Sequence, residues 1–519
     1  MGVIQMKGNQ AVIGLDIGTT STKAVLFGPQ GKVISKHSVP YDLIHPQPAW
    51  VEQNPEHILD AVIASVRGAL TKAAFDAKNL IGVGISTAMH SLIVMDENGK
   101  TLTNSIIWAD NRSAEQAKRI ITDLDGFQIY KRTGTPIHPM SPLSKIRWIK
   151  EMTPDVFNQA AKFISIKEYV LYHFFGQYVV DYSIASATGL FRLETLQWDE
   201  EALRIAGIQV NQLSELVPTT HQLRGLQPEI ALRMGIEEDT PFVVGANDGV
   251  LANLGVGAIG KGEVAVTIGT SGAVRTVVDQ PITDEQSRTF CYALTDKHWV
   301  VGGPTNNGGI MLRWLKDEFG SSEVEVAKRL GVDPYDLMID IAEKVPAGSE
   351  GLLFLPFLTG ERAPYWNPNA RGTFFGIGLQ HKREHFIRAV LEGVIMSVFS
   401  IGVALRDLTG PAKDVRASGG FARSPLWRQI LADTMGREVL VPESYEASAL
   451  GAAVLALHSL GHMEEIEEVQ EWIRISARHE PNMKNNETYI ELFYLYERLY
   501  DKLKDEFDVI SALQLKQNR

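Results

Sequence analysis

Residues 13–27, IGLDIGTTSTKAVLF, decide the fold, because a similar stretch, VAVTIGTSGAVRTVV, returns at residues 264–278. Each stretch has an apolar run, an Ile-Gly-Thr turn followed by a small hydroxyl residue, and a second apolar run. This pattern is typical of a strand–turn–strand hairpin. Gly18 of the first turn and Gly269 of the second lie about half a chain length apart. The repeat predicts two similar halves that each present a glycine turn.

The segments that follow each hairpin alternate strands with helices. After the first hairpin, residues 54–75 carry apolar residues at helical spacing, with Pro55 in the first turn. In the second half, residues 383–407 are predicted to be helical. Residues 414–442 read as strand, glycine turn, helix and strand. The predicted class is α/β, with two duplicated domains facing each other across a cleft, where small ligands tend to bind.

The predicted division of the chain has three parts. An N-terminal domain spans residues 11–253, a C-terminal domain spans residues 254–475, and a helical tail spans residues 476–519. The tail has aromatic and leucine residues at helical spacing, which favours packing onto its own domain over binding a partner.

Bulk composition restricts the partners of this chain of 519 residues. A net charge of −12 argues against a broad electrostatic interaction with nucleic acid or an anionic membrane. The N-terminus lacks the apolar core of a signal peptide, and no apolar run reaches a membrane-spanning length. Cys291 is the single cysteine, so it forms no internal disulfide, and core packing is favoured over a nucleophilic role. We expect a cytoplasmic protein, and a homodimer is compatible with the sequence.

The first glycine turn has the chemistry of a phosphate-binding loop. Gly18 lets backbone amides approach an anion without a Cβ in the way. Asp16, at the end of the preceding strand, is placed to hold a hydrated magnesium ion rather than the phosphate itself. The side-chain donors of the turn are Thr19, Thr20, Ser21 and Lys23. An ordinary β-turn is the alternative, and the second copy of the turn favours phosphate. The stretch is not a Walker loop, because the Gly-x-x-x-x-Gly-Lys-Ser/Thr spacing is missing.

Asp248 is the candidate general base. It follows the apolar run PFVVGAN and precedes the small residue Gly249. A carboxylate at such a strand-to-helix junction can accept a proton from a substrate hydroxyl that attacks phosphorus. The alternative is an N-cap aspartate, which is common just before a helix.

Two short runs, STAMHS at residues 86–91 and WADNR at residues 108–112, supply the donors, acceptors and apolar surface that a polyol needs. The candidate substrate-binding residues are Met89, His90, Trp108, Asp110, Asn111 and Arg112. Taken singly, His90 reads as a buried core histidine and Arg112 as a surface ion-pair partner.

These motifs resemble those of the FGGY carbohydrate kinase family over about residues 11–475. One family signature is the run GTFFGIGLQHKREHFIRAVLEG, which begins at Gly372. A second, MSPLSKIRWIKEM at residues 140–152, departs from the family pattern only at Met152. The resemblance implies two domains of the ribonuclease-H-like, actin-type ATPase fold, with ATP and Mg²⁺ bound between them.

The resemblance also implies roles for single residues. DIGTTSTK matches the first phosphate motif of the family, and TIGTSG matches the second. SGGFARSPLW resembles the adenosine motif, and GANDGVLANLG resembles the segment that supplies the base, Asp248. Further nucleotide-binding residues implied in this way are Gly269, Thr270, Gly309, Gly419, Gly420 and Ser424. Met89, His90 and Asp110 fall where sugar kinases of the family contact their substrate.

Within the family, the runs YDLIHPQPAWVEQNP and KRTGTPIHPMSPLSK resemble kinases of gluconate more than kinases of xylulose or glycerol. The implied reaction is ATP-dependent phosphorylation of D-gluconate to 6-phospho-D-gluconate. A substrate carboxylate needs a cation, and Arg112, Lys145 and His138 are the candidates. Arg362, in GERAPYWNP, either shapes the cleft or forms a structural ion pair. The alternatives are a kinase of xylulose or another polyol, a non-catalytic actin-type ATPase, and a sugar-responsive regulator.

Overall fold

The first half of the chain is built on a mixed six-stranded sheet. The structure is a computed structural model that describes residues 6–443 and 446–517. Five strands form the body of this sheet: β1 Ala11–Ile17, β2 Ser21–Phe27, β3 Val33–Pro40, β4 Leu80–Thr87 and β5 Phe242–Asn247. Their spatial order is β3-β2-β1-β4-β5, and the short strand Gln222–Leu223 borders β5. β1, β2 and β3 are antiparallel neighbours, whereas β4 and β5 run parallel to β1.

The second half repeats this sheet. Its five corresponding strands are β6 Glu263–Ile268, β7 Gly272–Val278, β8 Trp299–Thr305, β9 Asp414–Ser418 and β10 Val439–Pro442. They lie in the order β8-β7-β6-β9-β10, with the same antiparallel and parallel pairings. Phe290–Ala293 and Ile475–His479 are added at the two edges. The predicted duplication is therefore confirmed, and both halves have the strand order of a ribonuclease-H-like domain.

Seven helices accompany these sheets. They are α1 Pro55–Ala73, α2 Asp248–Gly255, α3 Ile310–Phe319, α4 Arg383–Thr409, α5 Pro425–Met435, α6 Ala447–Ser459 and α7 Met483–Gln517. α1 begins as its sequence predicts, because the Asn54 side chain accepts hydrogen bonds from the amides of Glu56 and His57, and Pro55 occupies the first turn.

The first half also contains a large insertion between β4 and β5. Its helices are Ala114–Asp123, Gly126–Thr133, Pro142–Met152, Pro154–Gln159, Ile166–Phe175, Tyr182–Ser186, Glu200–Ala206 and Pro228–Met234. Its short strands are Ile93–Met95, Ser105–Ile106, Lys162–Ile164, Val179–Asp181, Phe191–Arg192, Gln197–Trp198 and Glu215–Val217, and Glu52–Gln53 pairs with the second of them. The second half adds the helices Ser321–Leu330 and Pro334–Glu343 and the strand pair Leu353–Leu355 and Thr373–Phe375.

The two halves are joined by direct backbone contact. α6, from the second half, lies against β1 and β4 of the first sheet and against α2. A Cβ placed on Gly14 would lie 1.9 Å from the Ala449 carbonyl oxygen, and one on Gly84 would lie 2.0 Å from that of Ala452. Only glycine permits this approach. The predicted boundary between residues 253 and 254 falls within α2, which is part of this joint.

Two long helices pack onto the second half. α7 buries aromatic residues, including Tyr489 and Tyr496, in the core that it shares with α4. α4 is long and apolar enough to cross a membrane by length and composition, but 83% of its apolar window is buried in the core. Cys291 lies in the same core, where burial raises the pKa of its thiol to about 12, so the sulfur is protonated and apolar in character.

Candidate active site

The first glycine turn, between β1 and β2, is held by side chains from neighbouring loops. The Gly18 amide donates to the Ser21 carbonyl oxygen at 3.0 Å, and the Tyr41 hydroxyl donates to the Gly18 oxygen at 2.6 Å. The Gln53 amide donates to the Thr19 oxygen at 2.6 Å. Thr20 is exposed at the tip of the turn. Hydrogen bonds to the carbonyl oxygens of Gly18 and Thr19 fix the turn. The exposed Thr20 hydroxyl is not needed for this.

The second turn, between β6 and β7, has the same closure, because the Gly269 amide donates to the Ser271 oxygen at 2.8 Å. The start of α3 folds against it: the Gly309 amide donates to the Gly269 oxygen at 2.7 Å, and the Ile310 amide donates to the Thr270 oxygen at 3.2 Å. Gly309 and the second turn, which the sequence separates by about forty residues, are therefore in contact.

The run SGGFARSPLW lies beside the second turn. Gly419 has a φ of +92°, and a Cβ there would lie 2.4 Å from the Ile268 oxygen at the end of β6. Gly420 faces open space, since no atom lies within 4 Å of its ideal Cβ. Ser424 is the N-cap of α5 and accepts a hydrogen bond from the Trp427 amide at 3.2 Å. The cap gives Ser424 a structural role of its own.

Asp248 is the first residue of α2 rather than its N-cap. Asn247 caps the helix by accepting a hydrogen bond from the Val250 amide at 2.9 Å. The N-cap interpretation of Asp248 is therefore wrong. One Asp248 carboxylate oxygen accepts from the Gly249 amide at 2.7 Å. Burial raises the pKa of Asp248 above its usual value, and the positive charge of Arg275 opposes that shift.

Asp16, at the end of β1, is the second carboxylate of this region. The Ser86 hydroxyl donates to it at 2.8 Å. Burial, and next the charge of Asp248, raises the pKa of Asp16 to about 6. Two carboxylates that disfavour each other's ionisation fit a site that receives a cation. Within residues 6–443 and 446–517 there is no cluster of three metal-ligating side chains, so a magnesium ion here needs phosphate and water oxygens as further ligands.

Lys23, the last polar residue of the first motif, is paired across the joint. Its amine lies 2.8 Å from the Glu446 carboxylate, which precedes α6 and also contacts Lys36. The charge of Lys23 lowers the pKa of Asp16, although by less than burial raises it.

His90 is buried and has a left-handed backbone conformation, with a φ of +67°. Its Nδ1 lies 2.7 Å from the Ala187 carbonyl oxygen and therefore carries the proton, because a carbonyl only accepts. Burial, and next the charge of Lys145, lowers the ring pKa to about 3, so His90 is neutral. Its Nε2 is then an acceptor, 3.4 Å from the Tyr292 hydroxyl.

The WADNR run is tied to the first turn and to itself. The Trp108 indole donates to the Thr19 hydroxyl at 2.9 Å. Asp110 is 0% exposed and accepts from the Val51 amide at 2.6 Å and from the Arg112 guanidinium. Arg112 also pairs with Glu52 at 2.6 Å. These contacts favour a positioning role for Asp110 and Arg112 over direct contact with a substrate.

The remaining members of the predicted sugar site differ in exposure. Asn111 is exposed at the surface of its loop. Met89 is partly buried and packs against Gly249, since its terminal methyl lies 3.0 Å from an ideal Cβ on that glycine. Met89 is thus brought beside the residue that follows Asp248.

Lys145 and His138, two of the side chains predicted to bind a substrate carboxylate, are not available as free cations. The Lys145 amine is fully buried and donates to the carbonyl oxygens of His90, Ile106 and Ile107 at 2.6, 3.0 and 2.8 Å. An ammonium has three donors, so none is left for a ligand. Burial, and next the charge of Arg362, lowers the pKa of His138 to about 3, which makes it neutral.

Two arginines of the second half lie near the predicted sugar site. Arg275 is not among the site residues predicted from the sequence, and Arg362 is not among the predicted substrate-binding residues. Arg275 lies on β7, and Arg362 is 8% exposed, with its guanidinium carbon 4.9 Å from the centre of the Trp108 ring. Arg362 forms no ion pair with any residue that the structure describes, so the ion-pair interpretation is wrong. The sequence signal for Arg275 is a single charge inside the apolar strand GAVRTVV. A charge there costs free energy unless the fold provides a partner.

The chain has two ribonuclease-H-like domains, and each presents a glycine turn. One carboxylate, Asp248, lies at the start of a helix in the joint between them. These features define a phosphotransferase of the actin-like ATPase class. The family models of the FGGY carbohydrate kinases match both halves, the N-terminal domain at residues 11–255 and the C-terminal domain at residues 264–460. The chain belongs to this family and is a carbohydrate kinase.

Individual relatives agree with this assignment. The gluconokinase of Bacillus subtilis (strain 168) is 53% identical over 97% of this chain and 98% of its own length. The crystal structure of gluconate kinase from Lactobacillus acidophilus has a TM-score of 0.91 and 36% identity, covering 96% of this chain and 99% of its own. The ligand-bound xylulose kinase structure from Lactobacillus acidophilus has the same TM-score and identity, covering 96% and 100%.

Proposed function

We propose that this kinase transfers the γ-phosphoryl group of ATP to D-gluconate, giving 6-phospho-D-gluconate and ADP. The observation that carries the proposal is the 53% identity to the Bacillus subtilis gluconokinase over nearly the whole of both chains. Similarity to a xylulose kinase structure makes phosphorylation of a neutral sugar the second candidate. The two candidates differ in the charge of the substrate, which the cations of the site must match.

ATP is proposed to bind between the two glycine turns. Gly18, Thr19, Thr20, Ser21 and Lys23 approach the phosphates from the first half, and Gly269 and Thr270 approach them from the second. Gly309, Gly419, Gly420 and Ser424 line the nucleoside side. The contact of Gly309 with the second turn supports this grouping. Asp16 would hold Mg²⁺ through water, and the ion would neutralise charge on the phosphates.

Asp248 is proposed to accept the proton of the substrate's terminal hydroxyl as that oxygen attacks the γ-phosphorus in line. Its raised pKa makes it a better proton acceptor than an exposed aspartate. Met89, His90 and Trp108 would contact the sugar acid, with Asp110, Asn111 and Arg112 shaping the loop. Closure of the two halves would exclude water, so that the phosphoryl group reaches the sugar rather than solvent. We place the protein in the cytoplasm, and a homodimer stays a prediction.

The test is ADP release from purified protein with ATP and magnesium, across gluconate, xylulose, glycerol, ribulose, fuculose and no sugar. Strong turnover with gluconate alone is expected. Turnover with a neutral sugar in its place would reject gluconate and keep the kinase. Turnover that is equal with and without every sugar would reject sugar phosphorylation and favour an actin-type ATPase.

A further inference from the structure

Two buried guanidinium groups from the second half form no close ion pair with a described carboxylate, although the charges of Asp248 and Glu361 act on them from a longer distance. The Arg275 side chain makes no hydrogen bond to any residue that the structure describes, and its Nε and Nη1 are buried without a partner. Arg362 donates through Nη2 to the Thr305 carbonyl oxygen at 3.2 Å, while its Nε is buried and unpaired. Over the described part of the chain, no carboxylate lies within the 4.0 Å of an ion pair from either group. Buried guanidinium nitrogens without a hydrogen-bond partner are costly, which favours binding of an anion there.

Both groups border the proposed sugar site. An ideal Cβ on Gly249 would lie 3.0 Å from Arg275 Nη2, the same distance as from the Met89 methyl. The Arg362 guanidinium lies over Trp108. Burial lowers the pKa of Arg362 to about 10, the charge of Glu361 opposes this shift, and the charge of Arg275 adds a smaller effect in the same direction as burial. Arg275 thus lies next to the residue that follows Asp248, and Arg362 lies over the indole of Trp108.

The nearby acidic groups are occupied. Glu361 accepts hydrogen bonds from the Thr305 hydroxyl at 2.7 Å and the Ser397 hydroxyl at 2.9 Å. It also accepts from the backbone amides of Asn306 and Arg362 at 2.9 and 2.8 Å. Asp248 must stay free to accept a proton. His90 and His138 are neutral, so they add no positive charge for an anion and do not offset the charge of the two arginines.

We infer that Arg275, with Arg362 beside it, binds the carboxylate of the sugar acid and selects it over neutral sugars. The inference rests on the proposed function. Lys145 is less suited to this role, because its amine donates to three carbonyl oxygens. Arg112 is less suited because its charge is paired with Asp110 and Glu52. An open-chain sugar acid has its carboxylate and its terminal hydroxyl at opposite ends, so the molecule would extend from this arginine pair to Asp248.

The same chemistry, an oxyanion on a guanidinium, also suits the γ-phosphate of ATP. The two sources differ in what they predict for a neutral substrate. If Arg275 binds the substrate carboxylate, its removal lowers activity only with a charged substrate. If it binds the γ-phosphate, its removal lowers activity with every substrate.

The experiment compares D-gluconate with D-gluconamide, a neutral analogue of the same length, in wild type and Arg275→Gln. The measurements are kcat and KM for each substrate at saturating MgATP, and calorimetric binding of each substrate without ATP. We expect wild type to prefer gluconate, and Arg275→Gln to lose about 10²-fold in kcat/KM for gluconate with little change for gluconamide. Arg275→Lys should recover part of the loss, since it restores charge without the planar fork.

Arg478→Gln is the matched control, because Arg478 is an exposed arginine on an edge strand paired with Glu438. Its discrimination between the two substrates should equal that of wild type. Equal losses for gluconate and gluconamide in Arg275→Gln would overturn the inference and assign Arg275 to the phosphoryl group. No loss of kcat/KM for either substrate in a folded Arg275→Gln would overturn it as well, with gluconate still the substrate. Failure of wild type to bind or phosphorylate gluconate would reject both the inference and the proposed function.

Discussion

Asp16 and Asp248 are the two carboxylates whose environment most affects the chemistry. Both have raised pKa values, and burial is the first cause in each case. Their proximity makes the two titrations interdependent, so a pH profile reports the pair rather than either residue.

Asp248→Asn removes the proposed proton acceptor while keeping the shape of the side chain. We expect kcat to fall about 10²- to 10⁴-fold, the usual contribution of general base catalysis. ATP affinity, measured by calorimetry, should be unchanged, because the glycine turns are intact. Asp336→Asn, an exposed aspartate outside the site, is the control. Near-normal turnover in Asp248→Asn would exclude Asp248 as the base.

Asp16→Asn should lose activity and gain stability. The folded protein binds a proton at Asp16 more tightly than the unfolded chain does, so the ionised carboxylate destabilises the fold above pH 6. This penalty disappears as the pH falls through about 6 towards 3.8. At pH 8 the free energy of unfolding of the variant should exceed that of wild type by about 1–3 kcal/mol, before screening by solvent is considered.

Urea unfolding of Asp16→Asn and wild type at pH 8 and pH 5 measures this difference, without magnesium. The gain should shrink at pH 5, where wild type is protonated. A variant that is no more stable than wild type at pH 8 would contradict the assignment of a buried, unfavourable charge.

At the level of residues, the sequence predicted the two glycine turns and placed Asp248 at the junction of a strand and a helix, because these signals are local. The strand end, the small residues and the helix start are adjacent in the chain. It did not show that the Lys145 amine is held by the carbonyl oxygens of His90, Ile106 and Ile107, because no local pattern reveals those contacts. The role of Asn247 as the helix cap was also missed, one position from Asp248.

At the level of elements, the joint between α6 and the first sheet depends on glycine. The helix backbone lies directly on β1 and β4, at Gly14 and Gly84. Periodicity located the strands and helices of both halves. It did not predict which helix crosses to the other half, because α6 is apolar nearly all round and shows no single face.

Gly84→Ala should therefore destabilise the protein severely. Its Cβ would lie 2.0 Å from the Ala452 carbonyl oxygen, so the helix must move away from the sheet. We expect a loss of more than about 3 kcal/mol in the free energy of unfolding, beyond ordinary overpacking. Gly8→Ala is the control, because nothing lies within 4 Å of its ideal Cβ. Equal unfolding midpoints for the two variants would contradict the close contact.

At the level of the whole molecule, the proposed substrate site draws on both halves. Met89 and His90 belong to the first half, and Arg275 and Arg362 belong to the second. A ligand that contacts both sets has a higher affinity for a closed arrangement, and it shifts the population towards closure.

Small-angle X-ray scattering should show this shift. D-gluconate with a non-hydrolysable ATP analogue is expected to reduce the radius of gyration of wild type more than either ligand alone. In Arg275→Gln the gluconate-dependent part should be lost, because the second half no longer contacts the carboxylate. A radius of gyration that is identical in all states would argue against closure around the substrate.

The sequence by itself determined the repeated hairpins, the α/β elements and the membership of a kinase family. The hairpins and the elements follow from turn chemistry and periodicity, which act over a few residues, whereas the family is implied by the resemblance of several whole motifs. The tertiary structure decided which charged groups are paired and which are left to meet a ligand. Arg112 is hydrogen-bonded to Glu52, sixty residues away in the sequence, and Lys145 is hydrogen-bonded to the carbonyl oxygen of His90, fifty-five residues away. The Arg275 guanidinium, in contrast, has no hydrogen-bond partner in the described part of the chain. Burial and pairing depend on residues that are distant in sequence, so the availability of a buried charge is a property of the fold.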